Sequence, residues 1–142
     1  MNELQKCKDY CFKYLSTCLV SSKSLNDKLY RKEFSQDVIN ETIEMLLEYG
    51  YLNDEKYAKN YVYNAYNFKS WGPYKIKMKM LEKGIQKDIS EKYLSQYDFY
   101  EKCLDYASRR FEKTGDVNKT ISFLKNRGFN FDNIIKAVKE VQ

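Results

Sequence analysis

The chain of 142 residues contains no histidine, one proline and five glycines. Without histidine there is no imidazole acid–base catalysis, no Ser-His-Asp or Cys-His nucleophile pair, and no histidine-ligated zinc or haem. So little proline and glycine leaves few tight hairpin turns, which argues against a sandwich or barrel. No run approaches the ~20 apolar residues needed to span a bilayer, so no membrane association is expected. The start, Met-Asn-Glu-Leu-Gln-Lys, lacks the charged region and apolar run of a secretory signal. A cytoplasmic location with reduced thiols is the expectation.

What is present is charge and tyrosine. Lys and Arg number 25 against 20 Asp and Glu, a net charge of +5, which permits an anionic partner without requiring one. Tyrosine contributes 14 residues to the apolar fraction, so a tyrosine-rich core is expected. Cys7, Cys11 and Cys18 stand at i, i+4 and i+11, one face of a helix, and Cys103 lies alone in a later helix. A buried, reduced cysteine packs as a small hydrophobe. A thiolate metal site would need four converging ligands, and no CxxC pair exists. No metal and no cofactor is expected.

Helical spacing dominates. Val38, Ile39, Thr42, Ile43, Leu46 and Leu47 repeat at three and four, the apolar stripe of an amphipathic helix. Tyr57, Ala58, Tyr61, Val62 and Ala65 do the same, as do Leu104, Ala107 and Phe111, and Ile134, Ile135, Val138 and Val141. The pattern predicts nine helices, over 3–19, 22–33, 36–49, 54–68, 73–83, 87–96, 98–113, 117–127 and 131–141. Gly84 and Gly128 each follow a basic residue, as left-handed C-caps. Gly72-Pro73 puts proline at a first helical position. Ser21 and Asp116 are N-caps.

A segment of about 26 residues recurs three times. Its cap is Ser21, Gly72 or Asp116. Four residues on stand Leu25, Ile76 and Thr120, then Leu29, Met80 and Leu124. A base follows in every copy (Lys32, Lys83, Arg127), then Glu33, Gly84 or Gly128, and an apolar Phe34, Ile85 or Phe129. Three further on is always an acid: Asp37, Asp88, Asp132. The base closes one helix and the acid opens the next, each favourable toward the helix dipole by up to about 1 kcal/mol. A helix triplet of about 45–50 residues cannot bury its faces alone, so stacking is expected. The fold class is therefore all-α, an elongated array of three tandem three-helix repeats over 1–50, 51–97 and 98–142. Tyr74, Met78, Leu81 and Ile85 form a second apolar stripe on the helix at 73–83. It suits a unit sandwiched between neighbours, with a partner-binding groove as the alternative.

No catalytic constellation is present: no glycine-rich phosphate loop, no helix with paired metal ligands, no nucleophile beside a base. An enzyme is not expected. The charge has a pattern, however. The middle helix of each unit is basic, while 34–55 carries Asp37, Glu41, Glu44, Glu48, Asp54 and Glu55 with no base. A solvated face explains much of this. Mixed signs along an array also suit a protein partner, because complementary patches steer and register two surfaces. Basic helices facing phosphates are the alternative.

Four motifs in order resemble the RecX family, small bacterial regulators of the RecA recombinase. They are Ser21-x-x-Ser24-Leu25-x-x-Lys28-Leu29-x-x-Lys32-Glu33-Phe34; Gly50-Tyr51-Leu52-Asn53-Asp54-Glu55-Lys56-Tyr57-Ala58; Gly72-Pro73-Tyr74-Lys75-Ile76 with Lys83-Gly84-Ile85; and Phe123-Leu124-Lys125-Asn126-Arg127-Gly128-Phe129. Three positions depart from the family pattern: Ser24 replaces Glu, Glu33 replaces Gly and Asn53 replaces Asp. A non-glycine residue in a left-handed cap is strained, so the turn after Lys32 is expected to differ.

The resemblance implies three tandem three-helix units and a negative regulator that lies in the groove of the RecA filament on single-stranded DNA. It implies lowered ATP hydrolysis and strand exchange, and filament loss. Direct DNA binding, or an adaptor role for another protein, is the alternative. A monomer is expected. Charge and repeat position nominate Lys28, Arg31, Lys32, Lys75, Lys79, Lys83, Arg109, Arg110 and Arg127 as partner-contact residues.

Overall fold

Caps and breakers divide the chain into nine helices across residues 2–142, the part described by the computed structural model. They are α1 (Glu3–Leu15), α2 (Ser22–Arg31), α3 (Gln36–Glu48), α4 (Asp54–Phe68), α5 (Pro73–Glu82), α6 (Lys87–Leu94), α7 (Phe99–Thr114), α8 (Val117–Asn126) and α9 (Phe131–Val141). Strands are absent among the described residues. The helices form three tandem units, α1–α3, α4–α6 and α7–α9. Ser21, Ser35, Asn53, Asp98 and Asp116 each accept a hydrogen bond from a backbone N–H in the first turn of the helix that follows. Asn53 thus does a capping carboxylate's work, its Oδ1 accepting from Lys56 N at 3.0 Å.

The expected helix ends hold to within two residues, with one exception. The first helix stops at Leu15, because Ser16 and Thr17 hydroxyls bond back to the carbonyls of Lys13 and Tyr14 and compete with the next turn. Cys7, Cys11 and Cys103 are buried, but Cys18 falls beyond the helix and is exposed. The tyrosine-rich core is likewise corrected. The buried interior is built of Leu, Ile, Val, Ala, Met, Cys and Phe, and of the tyrosines only Tyr93 reaches it. Tyr10, Tyr14, Tyr57, Tyr61, Tyr66 and Tyr106 instead pack half-buried around it. A phenol needs a hydrogen-bond partner, so its rim position keeps one end wet.

The core is in two parts. One lies within α1–α3 and takes in Leu52; the other runs continuously through α4–α9. Units are joined by the same device twice. At the first joint the start of α2 meets the end of α5, where a Cβ on Gly84 would lie 2.6 Å from Lys23 Cβ. The Lys23 ammonium donates to the Glu82 carbonyl at 3.3 Å. The Asp54 carboxylate accepts from Ser22 N at 2.7 Å and Ser22 Oγ at 2.5 Å. At the second joint the start of α5 meets the end of α8. Gly72 N donates to Arg127 O at 2.6 Å and Tyr74 N to Gly128 O at 2.9 Å. A Cβ on Gly128 would lie 2.5 Å from Lys75 N.

This repetition explains Glu33. Its φ is +69°, matching +81° at Gly84 and +88° at Gly128. The turn is unchanged, with Phe34 N donating to Leu29 O just as Ile85 N does to Met80 O. The expected departure after Lys32 does not occur. Gly84 and Gly128 receive a neighbouring unit and have no room for a Cβ. Glu33 closes the first unit, which has no unit before it among the described residues, so only the backbone strain remains.

The sandwiched reading of the second stripe of α5 is also corrected. Ile85 is buried, but Tyr74, Met78 and Leu81 are 54%, 65% and 52% exposed. Neighbouring units meet through the ends of α5 and, for the last two, through the shared α4–α9 core, which leaves Met78 and Leu81 to solvent, while the Tyr74 hydroxyl accepts from Asn130 Nδ2 at 3.3 Å.

Candidate partner-binding surface

The joints collect the cations. Lys32, Lys83 and Arg127 are the C-cap residues of α2, α5 and α8, and end-to-end stacking sets each joint's cap beside the preceding middle helix. A cleft of about 390 Å³ opens at the first joint, lined by Lys28 and Arg31 from α2 and by Lys83 beyond α5. Asp27 and Glu82 share it, so both signs line one cleft. The Lys28 ammonium stands 4.6 Å over the Tyr14 ring. Burial, reinforced by Asp54, holds the Tyr57 phenol above its ordinary value, so it lines the cleft as a neutral hydrogen-bonding group. Lys32 lies outside the cleft, its ammonium 5.4 Å from the Tyr10 ring.

The second joint has different chemistry. Lys75 and Lys79 project from α5 over Trp71, with ammonium groups 5.3 and 6.0 Å from the indole centroid. Arg127 and Arg110 flank Phe123, at 4.9 and 4.6 Å. Arg109 turns aside to pair with Asp105 at 2.9 Å, one turn back on α7. Seven of the nine nominated cations therefore fall into two groups, one per joint; Arg109, though paired with Asp105, lines a cavity with Arg110 and Phe123, and Lys32 stands apart. Sequence reasoning missed Trp71, Phe123 and the acids Asp27 and Glu82. The only signal for Trp71 was its place beside Gly72-Pro73.

Other charges serve the fold. Lys77 pairs with Glu91 at 2.7 Å, tying α5 to α6. Glu55 accepts from Lys92 and from the Tyr93 hydroxyl, tying α4 to α6, and the Lys92 bond holds its carboxyl below the usual range. Among the described residues, no helix is long and apolar enough to cross a membrane.

Sequence comparison matches residues 7–46 to the first three-helix domain of RecX and residues 53–94 to the second. Regulatory protein RecX of Chlorobium phaeobacteroides is 33% identical over 126 residues, covering 85% of this chain and 83% of its own length. The protein of the same name from Caldanaerobacter subterraneus is 33% identical over 140 residues, covering 96% and 71%. The crystal structure of RecX from Lactobacillus salivarius superposes with a TM-score of 0.89 at 30% identity, over 98% of this chain and 96% of that one. With two domain models covering most of the chain and relatives of this identity matched over most of their length, the chain belongs to the RecX family of regulatory proteins.

Proposed function

We propose that the protein is a negative regulator of the RecA recombinase. It binds in the groove of the RecA filament on single-stranded DNA, slows ATP hydrolysis and strand exchange, and promotes filament disassembly during DNA repair and the SOS response. It acts in the cytoplasm, as a monomer, without catalysis of its own. The units at 1–50, 51–97 and 98–142 act as one rod. The nine nominated cations form the contact set, with Lys28, Arg31 and Lys83 at its centre.

The observation that carries this reading is the first-joint cleft. Three cations and two carboxylates stand around one corner, where backbone and side-chain bonds hold two units in fixed register. Alternating signs on a rigid frame suit a protein surface of complementary pattern, which gains specificity and orientation from the match. A surface that only needed to attract a polyanion would not retain Asp27 and Glu82 in its lining. The test is RecA ATP hydrolysis on single-stranded DNA, with and without the protein. Inhibition by the natural chain and weaker inhibition by a Lys28→Gln/Arg31→Gln/Lys83→Gln variant are expected. Full hydrolysis at a several-fold excess over filament sites rejects the reading.

A further inference from the structure

Two helix faces are left without a partner, and their charges are opposite. On α3, Asp37, Glu41, Glu44 and Glu48 stand at i, i+4, i+7 and i+11 and are all exposed, so they share the outer face. Among the described residues, none of the four has a Lys or Arg nitrogen within ion-pair distance. Acids three and four apart repel one another, and Glu48 sits at the negative end of a helix whose last turn has no base. Leu47 is exposed among them, and just past the helix end the Tyr51 ring meets Phe12 edge to face at 5.1 Å, both rings open to solvent. On α5, Met78 and Leu81 are exposed, with Tyr74 one turn before them. By helical position Lys75 and Lys79 follow this stripe along one edge and Lys77 along the other, and Lys77 shares the Glu91 carboxylate with Lys87.

We propose that α3 of one copy docks on α5 of a second copy. Within one chain α3 packs on α1 and α2, and α5 on α4 and α6, so both outer faces stay in solvent. Across two copies the acid row finds the lysine edges, which offsets the repulsion along α3. Leu47 and the Phe12–Tyr51 pair find Met78 and Leu81, and apolar patches rimmed by charge mark interaction sites. The lengths agree: at 1.5 Å per residue the acid row rises about 16 Å and α5 about 15 Å. A cationic peptide would satisfy the acids and leave the α5 stripe bare, whereas a second copy covers both faces at once. Each copy carries both faces, so reciprocal contact closes a two-fold pair. Contacts between short helices are at the small end of protein interfaces, so the pair is weak and reversible. Lys75 and Lys79 also belong to the contact set proposed for the filament, so the paired form is the one off the filament and the monomer the one on it. The pairing itself goes beyond the filament reading and does not depend on it.

Sedimentation equilibrium of the full chain without RecA tests the pairing, over about 1 μM to about 1 mM. The apparent mass is expected to rise from the 17.1 kDa of one chain toward twice that value, and to fall back as added salt screens the charges. Glu41→Lys/Glu44→Lys/Glu48→Lys and Lys75→Glu/Lys79→Glu each set like charges face to face. Each should raise the dissociation constant about a hundredfold or more. Mixed in equal amounts, the two variants regain association, because each brings the face that complements the other's. Met78→Ser/Leu81→Ser changes only exposed positions and weakens the pair at constant charge. The mass of one chain at about 1 mM overturns the inference. So does association that both reversals leave unchanged, or that mixing well-folded variants fails to restore. Should a reversal not fold, Met78→Ser/Leu81→Ser decides, and pairing as tight as the natural chain's overturns the inference. Because RecA is absent, failure here leaves the filament reading standing, and loss of ATPase inhibition alone leaves the pairing standing.

Discussion

Three glycine-to-alanine substitutions separate the two reasons a glycine is needed. Gly115 has φ +64° and open space around it, so alanine there meets only the left-handed penalty, about 1–2 kcal/mol. Gly72 has an ordinary φ of −84°. Its Cβ would lie 2.5 Å from the Gly128 carbonyl group, so the joint must open. The hydrogen bonds at 2.6 and 2.9 Å across it are then stretched or lost, at about 1 kcal/mol each, and their buried groups are left unpaired. Gly72→Ala should cost about 2–3 kcal/mol. Gly128 suffers both effects, with φ +88° and Lys75 N 2.5 Å from its Cβ, and should lose about 3–5 kcal/mol. The stiffening of the unfolded chain, about 0.4–1 kcal/mol, is shared by all three and cancels in the comparison. Urea unfolding followed by far-ultraviolet circular dichroism measures each value. If Gly128→Ala and Gly115→Ala agree within about 1 kcal/mol, close approach adds nothing and the joints do not hold the units as described.

Glu33→Gly removes the strain at φ +69° without touching a joint. The same urea assay should show between no change and about 1 kcal/mol of stabilisation, the relief offset in part by a looser unfolded chain. Cys18 is the exposed thiol, while burial pushes Cys11 up to about 12 and Cys103 up to about 11. Alkylation of the native protein at pH 8, read by mass spectrometry, should label one cysteine rapidly and the other three only on unfolding. Tyr100 donates to Glu140 at 2.6 Å, which pushes its phenol up from 10.0 to about 12. A raised acid contributes stability that is complete below pH 10 and lost as pH rises toward 12. Tyr100→Phe should abolish that part of the alkaline slope, as measured by urea midpoints from pH 8 to 12.

Local signals made the helices legible. Ser21, Asn53 and Asp116 cap where capping chemistry places them, and Gly84 and Gly128 close helices as C-cap glycines do. Periodicity failed where it could not see a partner. The stripe Tyr74, Met78, Leu81 has core spacing, yet nothing in one helix says which of its faces a neighbour covers. Tyrosine counted as apolar was sent inward, although its hydroxyl keeps it at the rim. Glu33 looked like a break in the repeat, and became intelligible once the joints showed which caps receive a neighbour. Charge and repeat position nominated the cations but not their grouping. The grouping depends on end-to-end stacking, which sets Lys28 beside Lys83 and Trp71 beside Arg127. Residues more than 50 positions apart meet at these joints, and no local pattern encodes that distance.

The most direct test of the central claim is co-sedimentation of the protein with preformed RecA filaments on single-stranded DNA. The natural chain should pellet with the filaments and saturate. The Lys28→Gln/Arg31→Gln/Lys83→Gln variant, with an unchanged circular dichroism spectrum, should remain largely in the supernatant. A natural chain that stays in the supernatant, or a variant that pellets equally well, would contradict the account.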